Sequence, residues 1–338
     1  MKSIILLPYF GKLPKYFPLH VKTCSYNPRY HWMLFTDDDS YKSMDFPNNF
    51  NIVYMTFAEM REKIQKAFEF TISLDYSSKL CDFRPAFGYI FKKEVEGYDV
   101  WGHADLDVIW GHLDSWIDDS LFEKYEKVFA HGHLTLYRNN RETNSRFMKE
   151  LWQPMLSKKL TYRDIFTLDS YCFFDESNHI FDIHKILQNH NIPFWASMDH
   201  IAEILPPYSN FQLFRDSPEI SHRVFLWERG RLFDIHIENS QINKKEYAYL
   251  HFPDRDFLIK LDLNDIPDTF LITPDAFQSY PGVLTIDDIK LHCENANRFT
   301  YKFPPKSAET TINREIKNAL TIFQSRFNNS KEGIINHV

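Results

Sequence analysis

Tyr98-Asp99-Val100-Trp101-Gly102-His103-Ala104-Asp105-Leu106-Asp107-Val108-Ile109-Trp110 decides the reading of the fold. The mostly apolar run 98–104 predicts a strand whose carboxyl end delivers two carboxylates two residues apart, and a second apolar stretch follows at once. In open α/β sheets the ligand crevice lies outside the carboxyl ends of the strands, so Asp105 and Asp107 fall where chemistry is expected. Such a pair can share one hard divalent cation, which in turn bridges the oxygens of a diphosphate. The chain holds three Asp-x-Asp pairs, at 37/39, 105/107 and 254/256, and only the middle one is framed by apolar runs on both sides. Taken alone, the pair reads equally well as a solvated turn between two strands.

Working outward, Ile4 to Leu7 predicts a buried first strand ended by the turn Pro8-Tyr9-Phe10-Gly11. Phe17 to Ser25 reads as a helix, His31 to Thr36 as a strand running into Asp37-Asp38-Asp39, and Asn51 to Met55 as a third strand. Phe57, Met60, Ile64 and Phe68 have helical spacing, and a further helix is expected after Pro85 to about Glu96. This alternation is the rhythm of an α/β layer fold. Further strands are expected at Lys127 to Phe129, Leu134 to Tyr137, Tyr171 to Phe174, Val224 to Trp227, Leu232 to Ile237 and Tyr247 to Phe252. In the polar tail, Thr311 to Phe327 reads as an amphipathic helix carrying Arg314, Lys317 and Arg326 against Glu315. It would pack on the core or lie weakly on an anionic membrane surface.

At 338 residues with 43% hydrophobic and 25% charged residues, the chain can bury a substantial core. A net charge of −7 argues against nucleic acid as a partner. Cys24, Cys81, Cys172 and Cys293 stand too far apart for a metal knuckle and read as reduced thiols of a cytoplasmic protein. With nine glycines, a glycine-rich phosphate loop is poorly supported. The 31 Phe, 18 Tyr and 7 Trp suit either a thick core or sugar-facing surfaces.

Five segments are ordered along the chain: Pro8-Tyr9-Phe10-Gly11; Phe35-Thr36-Asp37-Asp38; Lys79-Leu80-Cys81-Asp82-Phe83-Arg84-Pro85; Gly102 to Gly111; and Gly132-His133-Leu134-Thr135-Leu136-Tyr137-Arg138-Asn139. With Trp227-Glu228-Arg229-Gly230-Arg231-Leu232 and Tyr249-Leu250-His251-Phe252, this order resembles a family of bacterial polysaccharide-biosynthesis glycosyltransferases, distantly similar to glycosyltransferase families 8 and 32. The resemblance implies a GT-A fold, a nucleotide-binding α/β/α sandwich with a mixed sheet. Residues to about 115 would serve a nucleotide-sugar, expected to be a uridine-diphosphate sugar, those from about 116 to 255 an acceptor, and 256–338 would form a less regular extension. It further implies Mn²⁺ or Mg²⁺ on Asp105, Asp107 and His251, and donor ribose and phosphate on Lys79 and Asp82. Tyr9 or Phe10 would lie near the base, and Asp37 or Asp38 would bind the base edge or ribose.

The acceptor, a surface polysaccharide or lipid-linked glycan, would meet His133 and Arg138, and Asp175 or Glu176 would serve as base if the reaction inverts. A histidine third ligand favours retention. One departure is that Pro253-Asp254-Arg255-Asp256 stands where the related sequences are basic, leaving Arg255 to face the diphosphate. Two rival readings remain open: a haloacid-dehalogenase-like phosphatase with Asp105 as nucleophile, and a non-enzymatic carbohydrate-binding protein.

Overall fold

The computed structural model describes residues 1–153, 158–177, 179, 181–205, 210–214, 216–217, 219–253 and 255–295. Its centre is a seven-stranded mixed sheet. Strands β1 (Ser3–Pro8), β2 (Tyr30–Thr36), β3 (Phe50–Tyr54), β4 (Val100–Ala104), β5 (Val108–Trp110), β6 (Lys127–His131) and β7 (Leu134–Arg138) are the first seven in chain order. All but β5 join this sheet, in the order β3-β2-β1-β4-β7-β6, with Phe194–Trp195 at the β6 edge. The β3-β2-β1-β4 block is parallel, whereas β7 runs antiparallel to β4 and β6. The expected α/β class with a mixed sheet is the fold the chain adopts.

The sheet is covered on both faces, which is why β1 reads as an unbroken apolar run rather than an alternation. Ile5, Leu7, Trp32 and Leu34 pack against helix α1 (Phe17–Ser25), seven of whose nine residues are buried. Ile4, Leu6, Phe35 and Trp101 face helix α2 (Phe57–Gln65), the 3₁₀ stretch Ser77–Ala86 and helix α3 (Phe87–Ile90). The start of α2 is fixed by a capping box in which Thr56 and Glu59 satisfy each other's backbone N–H groups. Most of the abundant rings serve this core: Phe147, Phe166 and Phe83 are fully buried, and Phe83 stacks on Phe166 with centroids 4.3 Å apart.

A three-stranded sheet joins Ile201–Glu203, Tyr249–His251 and β5, and a six-stranded sheet spans residues 220–279. The division expected at residue 255 falls inside the latter, because Thr269–Ile272 pairs with Ile220–Glu228. Three element expectations are corrected. Tyr171 to Phe174 is not a strand: Cys172 N and Phe174 N donate to the Asp82 carboxylate instead of to a neighbouring strand, and Phe173 turns through φ 60°. The helix expected to Glu96 ends at Ile90, after a 3₁₀ stretch that carries Pro85. The run 247–252 is split, with Tyr247 closing one sheet and Tyr249–His251 entering another. Residues 311–327 lie outside the described residues, and no helix among the described residues is long and apolar enough to cross a membrane.

Candidate active site

Asp105 follows β4 directly, and the chain then passes through Asp107 into β5. β5 pairs antiparallel with Tyr249–His251 so that His251 stands opposite Val108, and Phe252 N donates to Asp107 O at 3.1 Å. This pairing brings a residue 144 positions away in sequence to the carboxylate pair. One ligand atom from each of Asp105, Asp107 and His251 lies within 4.8 Å of the others, with His251 Nε2 3.6 Å from Asp107 Oδ1.

The electrostatics suit a cation. Burial works against the His251 imidazolium, yet Asp107, Glu203 and Asp105 outweigh it and push the group up to about 9. The carboxylates thus create a negative potential that a proton answers here and that a divalent ion, held by two carboxylates and one imidazole, would answer better. Asp105 is itself held below the ordinary carboxylate range: burial opposes ionisation, but Arg84 and His251 prevail.

Arg84 is the hub of the cleft. It donates to Asp105, and through Nη1 to Asp175 Oδ2 at 2.9 Å and to Gly132 O at 3.3 Å. Asp175 is buried, and desolvation with the nearby Glu176 raises its carboxyl to about 7 despite Arg84. Glu176 accepts from His131 Nδ1 at 3.0 Å and Gly132 N at 2.7 Å. Gly132 is required for this approach, since a Cβ there would lie 2.6 Å from Arg84 Nη1 and 2.7 Å from oxygens of Asp175 and Glu176. His133 is also in the cleft: its carbonyl accepts from Asp105 N at 3.4 Å, and its ring lies 4.3 Å from that of His251.

The remaining expected residues divide. Tyr9 borders the cleft, its hydroxyl pushed up by burial and by the Asp107 and Asp38 carboxylates. Phe10 packs edge-on against Phe57 at 5.4 Å. Asp37 and Asp38 brace the loop after β1, accepting from Gly11 N and Leu13 N, both at 2.7 Å.

Lys79 and Asp82, expected on ribose and phosphate, are instead wholly buried and paired at 2.7 Å. Lys79 also donates to the carbonyls of Ile165 and Ser170, so the pair clasps the segment that carries Asp175 and Glu176. Arg138, expected at the acceptor, stands opposite Val100 at the other end of β4 from Asp105 and binds the Phe122 and Tyr125 carbonyls. Arg255 is buried, donating to Pro274 O at 2.8 Å with its guanidinium over Phe211.

Sequence reasoning missed Arg84, Glu203 and His131 as site residues. Arg84 had a signal, its place in the Lys79 to Pro85 motif. Glu203 had none: it reaches the cleft because Ile201–Glu203 pairs in parallel with Tyr249–His251, which sets Glu203 opposite His251. Beside Glu203 and His131 opens a cavity of about 500 Å³, lined also by Ser177, Asp182, His184 and Met198.

This geometry can be set against known proteins. The chain belongs to DUF6625, a family of unknown function. The family's pattern matches residues 5–281, which takes in the central sheet, the carboxylate and histidine cluster and the six-stranded sheet. No curated protein matches the chain. Among solved structures it is similar to mouse xyloside xylosyltransferase 1 in its apo form, at 10% identity and a TM-score of 0.38, over 61% of this chain and 88% of that one.

Proposed function

We propose that this DUF6625 protein is a metal-dependent glycosyltransferase that moves a hexose from a nucleotide-sugar, with a uridine-diphosphate sugar as first choice, to a hydroxyl of a surface polysaccharide or lipid-linked glycan. The observation that carries the reading is the convergence of Asp105, Asp107 and His251 at the carboxyl end of the central strand β4. Asp105, Asp107 and His251 would hold Mn²⁺ or Mg²⁺, which supplies charge neutralisation to a leaving diphosphate. The loop braced by Asp37 and Asp38 sets Tyr9 at the rim, where its ring can stack on a base. The cavity beside Glu203 and His131 is the acceptor side of the cleft.

Asp175 is taken up by Arg84, so its role is to fix that guanidinium, and through it Asp105. Glu176, half-buried and held by His131 and Gly132, is the better placed carboxylate to face an acceptor hydroxyl if the reaction inverts. Retention, in which the leaving phosphate takes the acceptor proton, needs no such base and is the favoured course. Residues to about 115 would supply the donor half, and the acceptor half would come from the chain beyond them. Lys79, Asp82 and Arg138 act as structural ties rather than ligand contacts.

The test is a panel of nucleotide-sugars with and without Mn²⁺, read by thermal stabilisation and by slow hydrolysis of the sugar. A uridine-diphosphate sugar should raise the melting temperature only with the metal, since binding to the folded state adds stability by mass action. Stabilisation by no nucleotide-sugar, or hydrolysis indifferent to chelator, overturns the reading.

A further inference from the structure

His251 presents two faces. Its Nε2 lies 3.6 Å from Asp107 Oδ1, while Nδ1 lies 3.6 Å from Glu203 Oε1. Glu203 Oε2 in turn lies 3.6 Å from His133 Nε2. One ligand atom from each of His133, Glu203 and His251 falls within 4.8 Å of the others, a second convergence beside the Asp105, Asp107, His251 set. His133 is 2% and His251 7% exposed, and neither His133 Nε2 nor His251 Nδ1 has a hydrogen-bond partner among the described residues.

Two buried ring nitrogens aimed at one carboxylate need an explanation, because a buried polar atom left unmade costs free energy. At 3.6 Å they are too far from Glu203 for good hydrogen bonds. The two 3.6 Å separations run to different oxygens of Glu203, and one ligand atom from each of the three residues lies within 4.8 Å of the others, a spread that a small turn of the carboxylate closes to the roughly 3.4 Å between ligand atoms about a tetrahedral zinc ion with bonds of about 2.0–2.1 Å. The outer contact is also in place: the Tyr249 hydroxyl lies 2.9 Å from His133 Nδ1, and when its oxygen accepts a hydrogen bond from Nδ1–H the Nε2 lone pair is free for a metal.

We infer that His133, Glu203 and His251 form a second cation site, selective for Zn²⁺, whose occupation is exclusive of the Asp105, Asp107, His251 site. Two imidazoles and one carboxylate favour zinc, whereas two carboxylates with one imidazole suit Mn²⁺ or Mg²⁺. A neutral imidazole has one lone pair. When Nδ1 binds zinc, Nε2 carries the proton, points an N–H at the carboxylate pair, and withdraws the third ligand from the harder ion. Zinc would therefore switch the cleft off; this consequence rests on the transferase reading, but the site itself does not.

The experiment uses the full-length metal-free protein, with Co²⁺ as a coloured stand-in for zinc and Mn²⁺ followed by electron paramagnetic resonance. Co²⁺ should give the intense visible bands of a four-coordinate site in the wild type and in Asp105→Asn, and lose them in both His133→Gln and Glu203→Gln. Zn²⁺ should displace Mn²⁺ from the wild type at near-stoichiometric concentration, and about tenfold more should be needed in His133→Gln and Glu203→Gln. Glu203 is half-exposed at its strand end, so Glu203→Gln keeps the fold if His133→Gln does not. Cobalt bands that vanish in Asp105→Asn but survive both other variants, or equal zinc potency in all three proteins, overturn the inference. If the wild type binds no Mn²⁺, the transferase reading fails while the cobalt bands still decide the second site.

Discussion

The carboxylate of Asp105 is hydrogen-bonded to the guanidinium of Arg84. A residue proposed to hold an external cation thus already has an internal one, and the same guanidinium reaches Asp175 at 2.9 Å. Asp105 is partly exposed and can turn part of its carboxylate outward, whereas Asp175 is 1% exposed and depends on Arg84 alone for counter-charge at that distance. Removing the arginine strands a buried carboxylate. At pH 8, where the Asp175 carboxyl is ionised, Arg84→Met should cost about 3–5 kcal/mol of stability, read as a lower urea midpoint, and adding Asp175→Asn should restore part of it. An unchanged midpoint would show that Asp175 finds other compensation.

Asp107→Asn removes a charge from the carboxylate pair without touching the Arg84 contacts. Mn²⁺ affinity should fall by at least about a hundredfold, and transfer with it, while the circular dichroism spectrum is retained. Mn²⁺ binding at wild-type strength in this variant would place the metal elsewhere.

The buried Lys79 and Asp82 pair separates a structural role from a donor-binding one. Lys79→Met leaves Asp82 uncompensated and should lower stability by about 3–5 kcal/mol, while the folded fraction binds uridine diphosphate and Mn²⁺ with wild-type affinity. A selective loss of nucleotide affinity with stability intact would return the pair to the ribose and phosphate.

Asp175 gives a pH signature. Its carboxyl is raised to about 7 in the fold, so the native state prefers the protonated form. That contribution is complete below the unfolded value near 4 and is lost as pH rises through about 7. The melting temperature of the wild type minus that of Asp175→Asn should therefore fall from pH 5 to about pH 7 and level off above it. A constant difference across that range would mean Asp175 is ionised throughout.

Gly132→Ala should disturb the cleft by contact alone. Its Cβ would press on Arg84, Asp175 and Glu176 at 2.6–2.7 Å, none of which can retreat without breaking a hydrogen bond. A loss of roughly 1–3 kcal/mol is expected from calorimetry. Full stability would mean that the loop before β7 shifts freely.

What could be read in the sequence was local. The apolar run ending at Asp105 and Asp107 names its strand and its carboxyl end without reference to anything distant, and β1, α1 and α2 were legible for the same reason. Charge could be read but burial could not, so Lys79 and Asp82 looked like ligand contacts although they tie two segments together inside the core. Tyr171 to Phe174 has the composition of a strand, and only the Asp82 carboxylate, about 90 residues earlier, diverts its N–H groups. Glu203 was invisible because its position depends on the pairing of strands nearly 50 residues apart.

That same small sheet has a bearing on how the molecule matures. Asp105, His133, Glu203 and His251 come from four separate stretches, and the last two meet only when residues 201–203 pair with 249–251, the strand that itself lies beside β5. Contacts between such distant segments form slowly, because loop closure must be completed before they reward the chain. A chain that has built β1 to β4 but not this sheet has the carboxylate pair without its histidine. If Asp105, Asp107 and His251 hold the metal as proposed, added Mn²⁺ should become tightly held in a refolding experiment only once residues 249–251 have paired with β5.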